Sequence, residues 1–121
     1  MEKASSQHSE YMCSVKQLTH KELKTKSKFY GENEEKRMVK ATHGLYLLAK
    51  HKIKLTESIA ILDIDATDLD INKLAIEIQS QLDKEKEFTG NKVKIGYGVT
   101  LKRTNNNLKF YVTRIVGNRQ V

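Results

Sequence analysis

The chain has no proline and no tryptophan, a single cysteine, and no long apolar run. Each scarcity excludes something. Without proline, no strand or helix is interrupted by a residue that lacks an N–H and fixes φ. Cys13 alone can form neither an internal disulfide nor a cysteine-based zinc site, which fits a reducing, intracellular compartment. No stretch approaches the roughly 18 apolar residues of a membrane span. Met1 to Glu10 is polar, so a secretory signal is not expected either, and no membrane partner is implied. What remains is a chain of 121 residues, enough for one domain with a real core.

Acidic residues are absent from positions 91–121, which carry seven Lys/Arg. Residues 1–56 carry twelve Lys/Arg against six Asp/Glu, whereas residues 57–90 hold nine acidic and three basic side chains. The net +7 is therefore segregated into two basic flanks around an acidic middle. Basic flanks on a small domain fit a polyanion partner, most often nucleic acid, and equally a lysine-rich solvated surface.

Met1 to Glu10 is polar with nothing to pack, Tyr11, Val15 and Leu18 are spaced like one face of a short helix, and residues 1–16 are expected as a disordered or loosely packed lead-in, leaving 17–121 as the domain. Thr19 and Glu22 have capping-box spacing, and Leu23 to Tyr30, studded with lysine, reads as an edge strand. Asn33 can cap a helix opening on Glu34 and Glu35, with Met38, Ala41, Thr42, Leu45, Leu48 and Ala49 as its inward stripe. Ile59 to Ile64 has the density of a central strand. Thr67 or Asp68 can cap a helix carrying Ile71, Leu74, Ala75, Ile78 and Leu82, which Gly90 and Asn91 would end. Lys92 to Lys102 and the run from Leu108 alternate with period two around Asn105-Asn106-Asn107, which predicts a long basic hairpin. The expected fold class is α+β, in the order β-α-β-α-β-β, with two helices on one face of a four-stranded mixed sheet.

That order, with Leu18-Thr19-His20-Lys21-Glu22-Leu23 before the first strand, Leu69 to Leu82 as the second helix and Arg103 to Val116 through the closing strand, resembles the Alba family. Within it, the chain is similar to the small Alba-type subunits of eukaryotic ribonuclease P and ribonuclease MRP, over roughly residues 17–117. The resemblance implies an RNA-binding subunit without catalysis of its own, acting in tRNA and rRNA processing. It would be nuclear or nucleolar, and paired with a second Alba-type subunit or with its own copy. Carried over position by position, it makes Lys26, Lys28, Lys36, Arg37, Lys40, Lys102, Arg103, Lys109 and Arg114 candidate phosphate contacts; Tyr111 is a candidate for stacking on a base or for packing at a subunit interface. The chain departs from the family in its strand-to-helix turn, which has no glycine and carries Asp63, Asp65, Asp68 and Asp70. It also places Glu32 and Asn33, not lysines, after Gly31.

Two other readings of the residues stand beside this one. Asp63 to Asp70 could hold a metal ion, although no calcium-loop spacing is present: the twelfth position counted from Asp63 is Leu74. The acidic turn and Ile76 could instead meet a protein partner. No nucleophile-base pair, P-loop or dinucleotide fingerprint occurs, so neither enzyme nor cofactor is expected. Gly96-Tyr97-Gly98 lies within a strand, where glycine marks a close approach of another backbone.

Overall fold

A computed structural model describes residues 1–48, 50–86 and 92–119, with backbone alone at 92 and 93. Its frame is the hairpin of β2 (Lys92–Thr104) and β3 (Asn107–Arg119), turned at Asn105, whose left-handed φ of 51° asparagine tolerates better than most residues. Strand β1 (Ile53–Asp65) pairs antiparallel along the whole of β3, from Ile53 opposite Arg119 to Asp65 opposite Asn107. The sheet order is β1-β3-β2.

This corrects two expectations. The sheet has three antiparallel strands, not four in a mixed arrangement, and the strand expected at its centre, β1, lies at an edge. The centre belongs to β3, buried on both sides. On one side Leu108, Phe110 and Val112 join Ala60, Leu62 and Leu82. On the other, Tyr111 meets Met12 and Ile59, and Ile115 meets Ala4, Met38 and Tyr46.

Helix α3 (Ile71–Glu85) supplies the first side. Asp70 caps it by accepting from the N–H groups of Asn72 at 3.0 Å and Lys73 at 3.2 Å, so the cap lies beyond the expected Thr67 or Asp68. Leu74, Ile78 and Leu82 then point at β1 and β3. The opposite side is covered by α1 (Glu2–Val15) and α2 (Glu34–Ala41). Helices therefore flank the sheet on both faces, and the expected one-sided arrangement does not form.

The N-terminal segment, expected as a loose lead-in, is helix α1, and glycine is the reason it packs. A Cβ on Gly98 would lie 2.3 Å from backbone atoms of Ser5 and Ser6, and one on Gly96 would lie 2.4 Å from Met1 Cβ. Bare strand meets bare helix there. Ser5 Oγ donates to the Gly96 carbonyl at 3.0 Å and Ser9 Oγ to that of Gly98 at 2.9 Å. The small residues Ala4, Ser5 and Ser9 that make α1 look polar in sequence are what let it settle on the sheet.

Asn33 caps α2 as expected, accepting from Lys36 N–H at 2.9 Å. The helix ends earlier than its apolar stripe predicts, because His43 and Gly44 adopt φ of 53° and 89° and redirect the chain into a short 3-10 turn, Leu45–Leu48. Tyr46 enters the core, while Leu45 and Leu48 face outward. Ala49 of that stripe and the Gly90–Asn91 helix stop lie outside the described residues.

Candidate nucleic-acid interface

Between α1 and α2 runs a strap, residues 16–33, where the first strand was expected. Its own backbone bonds are local turns, Lys26 N–H to Leu23 O and Phe29 N–H to Lys26 O, both at 3.1 Å. A run of alternating lysine and small polar residues has no apolar face to lay on a sheet, and so pairs with itself.

Glu22 closes the strap. Its backbone N–H donates to Glu32 O at 3.1 Å, and its Oε1 accepts from the N–H groups of Tyr30 at 2.7 Å and Gly31 at 3.3 Å. The other oxygen lies 2.7 Å from His8 Nδ1 and 3.6 Å from Arg37 NH1. Arg37 in turn donates to Glu57 Oε2 at 2.6 Å, to Gly31 O at 3.0 Å and to His20 O at 3.1 Å. His8, Glu22, Arg37 and Glu57 are all sealed from solvent. Burial alone would raise the Glu57 carboxyl. The hydrogen bond from His20, the charges of His8 and Arg37, and the Arg37 hydrogen bond overcome it and hold the group below its ordinary range.

His20 continues the network round the free edge of β1. Its Nδ1 is 2.9 Å from Glu57 Oε1 on one side of the sheet. Its Nε2 is 2.7 Å from Glu85 Oε1 at the end of α3, an ion-pair approach without hydrogen-bonding direction. The same Glu85 oxygen accepts from the Ile59 N–H at 3.1 Å. The hydrogen bond to Glu57 first, and the charges of Glu57 and Glu85 with it, raise the His20 imidazole above its ordinary value against the opposing effects of burial and Lys86.

The arrangement sorts charge by depth. Glu22 is the one acidic residue between Gln17 and Gly31, and it is turned inward. Lys16, Lys21, Lys24, Lys26 and Lys28 are exposed. The next acid, Glu32, is engaged by Lys36 at 3.1 Å, a bond that holds the Glu32 carboxyl below its usual range. A tethered strap thus displays a row of lysines without a carboxylate among them.

The expected contact residues divide accordingly. Lys26 and Lys28 lie on the strap, Lys36 and Lys40 beside it on α2, Lys40 resting 4.4 Å over the Tyr30 ring. Lys102 and Arg103 are exposed near the hairpin tip, and Lys109 is half-buried there, in register between Asp63 and Lys102. Three expectations are corrected. Arg37 is fully buried in the network. Arg114 is fully buried too, donating to Asp83 at 2.8 Å, with Ser58 Oγ and Lys86 O each at 3.2 Å. Tyr111 packs against Met12 and Ile59 with 1 % of its surface exposed, out of reach of any base. None of the three can touch phosphate without the core opening.

No family model, curated protein or solved structure matches this chain. The acids of the strand-to-helix turn have local duties: Asp65 accepts from Thr67 N–H at 2.9 Å and Oγ1 at 2.8 Å, bonds that lower its carboxyl, and Asp70 caps α3. Among the described residues no group of three His, Cys, Asp or Glu side chains is placed to hold a metal ion. Nor, among them, is any helix long and apolar enough to cross a membrane. Lys16, Lys21 and Lys24 were not singled out from sequence, because Glu22 stands among them and only the fold shows it withdrawn. The partners of Glu22 were hidden: His8 and Arg37 lie on other elements, and only the fold brings them to it.

Proposed function

We propose that this protein is a non-catalytic nucleic-acid-binding protein, with RNA its principal ligand. Lys16, Lys21, Lys24, Lys26 and Lys28 neutralise consecutive phosphates, and Lys102 and Arg103 make a second contact. The observation that carries the reading is the strap itself, five exposed lysines whose one neighbouring carboxylate is withdrawn into the core. A cationic run tethered before binding loses less entropy on meeting a polyanion than a free tail does. Each phosphate contact releases counterions, so the five strap contacts alone give a slope of about −3.5 to −4.5 in log affinity against log salt, and the hairpin pair makes it steeper. Fluorescence anisotropy with a structured RNA across a salt series measures this. No binding at low salt, or a slope near −1, rejects the reading.

The finer proposal is a ribonucleoprotein subunit of the ribonuclease P/MRP kind, nuclear, and joined to a second Alba-type subunit. Its support is the order α2-β1-α3-β2-β3, which an Alba-like chain shares from its first helix onward. The unformed first strand and the two-sided helices weigh against it. Co-purification from the native cell, with identification of bound RNA and protein, tests it.

A second reading, a protein-interaction module, has an observation of its own. Helix α3 covers β1 and β3 but leaves the same face of β2 open, where Tyr97, Val99 and Leu101 are 42, 51 and 52 % exposed and Ile76 stands out from α3. An exposed apolar strip of this kind marks a contact surface. Light scattering on the purified chain tests it: a monodisperse monomer at high concentration, unchanged by L101S, rejects that role for the strip in self-association.

A further inference from the structure

His20 holds the strap across the open edge of the sheet, and the atoms around it fit only one protonation state. Its ring is reached by Glu57 from β1, by Glu85 from α3 and, more distantly, by Lys86 just after α3, and the Glu57 oxygen it meets is also approached by His8 Nε2 of α1 at 3.5 Å. Its own carbonyl receives Arg37 from α2. Nδ1 lies 2.9 Å from one carboxylate and Nε2 2.7 Å from another. A carboxylate only accepts, so a nitrogen carrying a lone pair would lie beside a negative oxygen at one of these two places; at Nε2, where the approach to Glu85 lacks hydrogen-bonding direction, the attraction comes from the charge of the ring. Both contacts are attractive when the ring is an imidazolium, and one turns repulsive when it is neutral.

The consequence depends on which contact yields. Glu57 is sealed in the core and tied to Arg37, so Nδ1–H remains with it. The lone pair then falls on Nε2, opposite Glu85, which is partly exposed and has room to swing away. Glu85 also receives the Ile59 N–H of the edge strand. Its departure would release the far side of the strap and unpair that edge amide together.

We propose that His20 is a proton-dependent latch: protonated, it joins the strap to α3 across the edge of β1, and on losing its proton it releases the strap from α3 and frees the Ile59 amide, while Glu22 and Arg37 keep the strap on the core. The lysine row would be held in place below the titration and loosened above it. That effect on ligand binding rests on the nucleic-acid reading; the latch itself does not.

The test uses the full chain. NMR follows the His20 ring signal, and hydrogen exchange follows the Ile59 amide, from pH 5.5 to 9, with exchange corrected for its intrinsic pH dependence. The expected result is a His20 midpoint above the ordinary imidazole value of about 6.5, with Ile59 protection falling by tenfold or more over the same interval. In E85Q, which keeps an oxygen for the Ile59 N–H but removes the charge, the His20 midpoint moves down. In H20Q the corrected Ile59 protection no longer varies with pH. Flat Ile59 protection in the wild type, or a His20 midpoint unmoved by E85Q, overturns the latch. A fluorescent 20-nucleotide poly(U) probe, measured in parallel, separates the two claims. Affinity that falls at the His20 midpoint supports both. Absence of poly(U) and structured-RNA binding at every pH, with Ile59 behaving as expected, rejects the nucleic-acid reading and supports the latch.

Discussion

Replacing Arg37 by methionine removes the guanidinium between Glu22 and Glu57 while keeping much of the side chain's apolar length. Three hydrogen bonds disappear, to Glu57 Oε2, Gly31 O and His20 O, and the Glu57 carboxylate is left in an interior that water does not reach. Breaking a buried pair by deleting one partner costs about 3–5 kcal/mol, because the remaining charge stays desolvated. Against a total stability of roughly 5–15 kcal/mol for a domain, that is a large share. With a urea slope of about 1.5–2 kcal/mol/M, the midpoint of unfolding falls by about 2 M. The loss has a pH signature. In the wild type the folded Glu57 carboxyl is depressed, so its stabilisation is present above the ordinary carboxylate value and fades only as pH falls through the lowered folded one. In R37M the same buried carboxyl takes up a proton more readily, so the difference between the two proteins narrows at pH 4. Urea unfolding followed by circular dichroism at pH 7 and pH 4 measures both. A loss below about 1 kcal/mol at pH 7, or an equal loss at both pH values, would refute the view of Arg37 as the counter-charge of a sealed network.

The close approach of α1 makes Gly98→Ala a sharper lesion than its single methyl implies. A Cβ there would meet helix backbone at 2.3 Å, so the helix must move, at about 1–3 kcal/mol, whereas Gly44→Ala meets nothing and costs about 1 kcal/mol of strain at φ 89°; thermal melts rank the two. Changing Lys21, Lys24, Lys26 and Lys28 to glutamine leaves the melting temperature within a few degrees and flattens the salt slope of RNA binding by about 3–4, close to one unit per lost phosphate contact; an unchanged slope removes the strap from the interface. Asp70→Ala deletes the cap of α3 and lowers stability by about 1 kcal/mol, read from urea unfolding.

The hairpin, the β1 run and α3 were legible in sequence because each carries its own period: alternation through β2 and β3, a dense apolar run in β1, and Leu74, Ile78 and Leu82 at helical spacing in α3. The errors fall where the period is silent or misleading. Helix α1 shows apolar residues at its end, Tyr11 and Met12, but its first half buries serine and alanine against glycines about ninety residues away and carries no period to find. Its length and Ala4, Ser5 and Ser9 are meaningful only once Gly96 and Gly98 are opposite. The apolar positions after Met38 continued the helix on paper, but the His43-Gly44 pair ended it, and a glycine just past a helix was a stop signal that the apolar stripe outweighed. Arg37 and Arg114 looked like surface cations because charge is read as exposure by default. Their partners Glu57 and Asp83 become visible only through the sheet and the helix that bring them near. The exposed cations were easier: Lys102 and Arg103 lie near the hairpin tip as expected, whereas Lys26 and Lys28 are exposed on the turns of the strap and not on the edge strand that sequence predicted.

The seat of α1 on Gly96 and Gly98 also orders events in time. The chain's earliest helix has its docking site in β2, near the opposite end, and β2 is held in turn by β3. A ribosome delivers α1 long before that surface exists, and an isolated helix of α1's length has little reason to persist alone. Folding must therefore close a loop spanning most of the chain, a slow, high-contact-order step that waits for synthesis of the hairpin. The strap hangs from α1 through His8 and Tyr11, so it is tensioned only when that step is complete. Until then its lysines belong to a flexible segment, and the ordered lysine row exists only once the two ends of the fold have met.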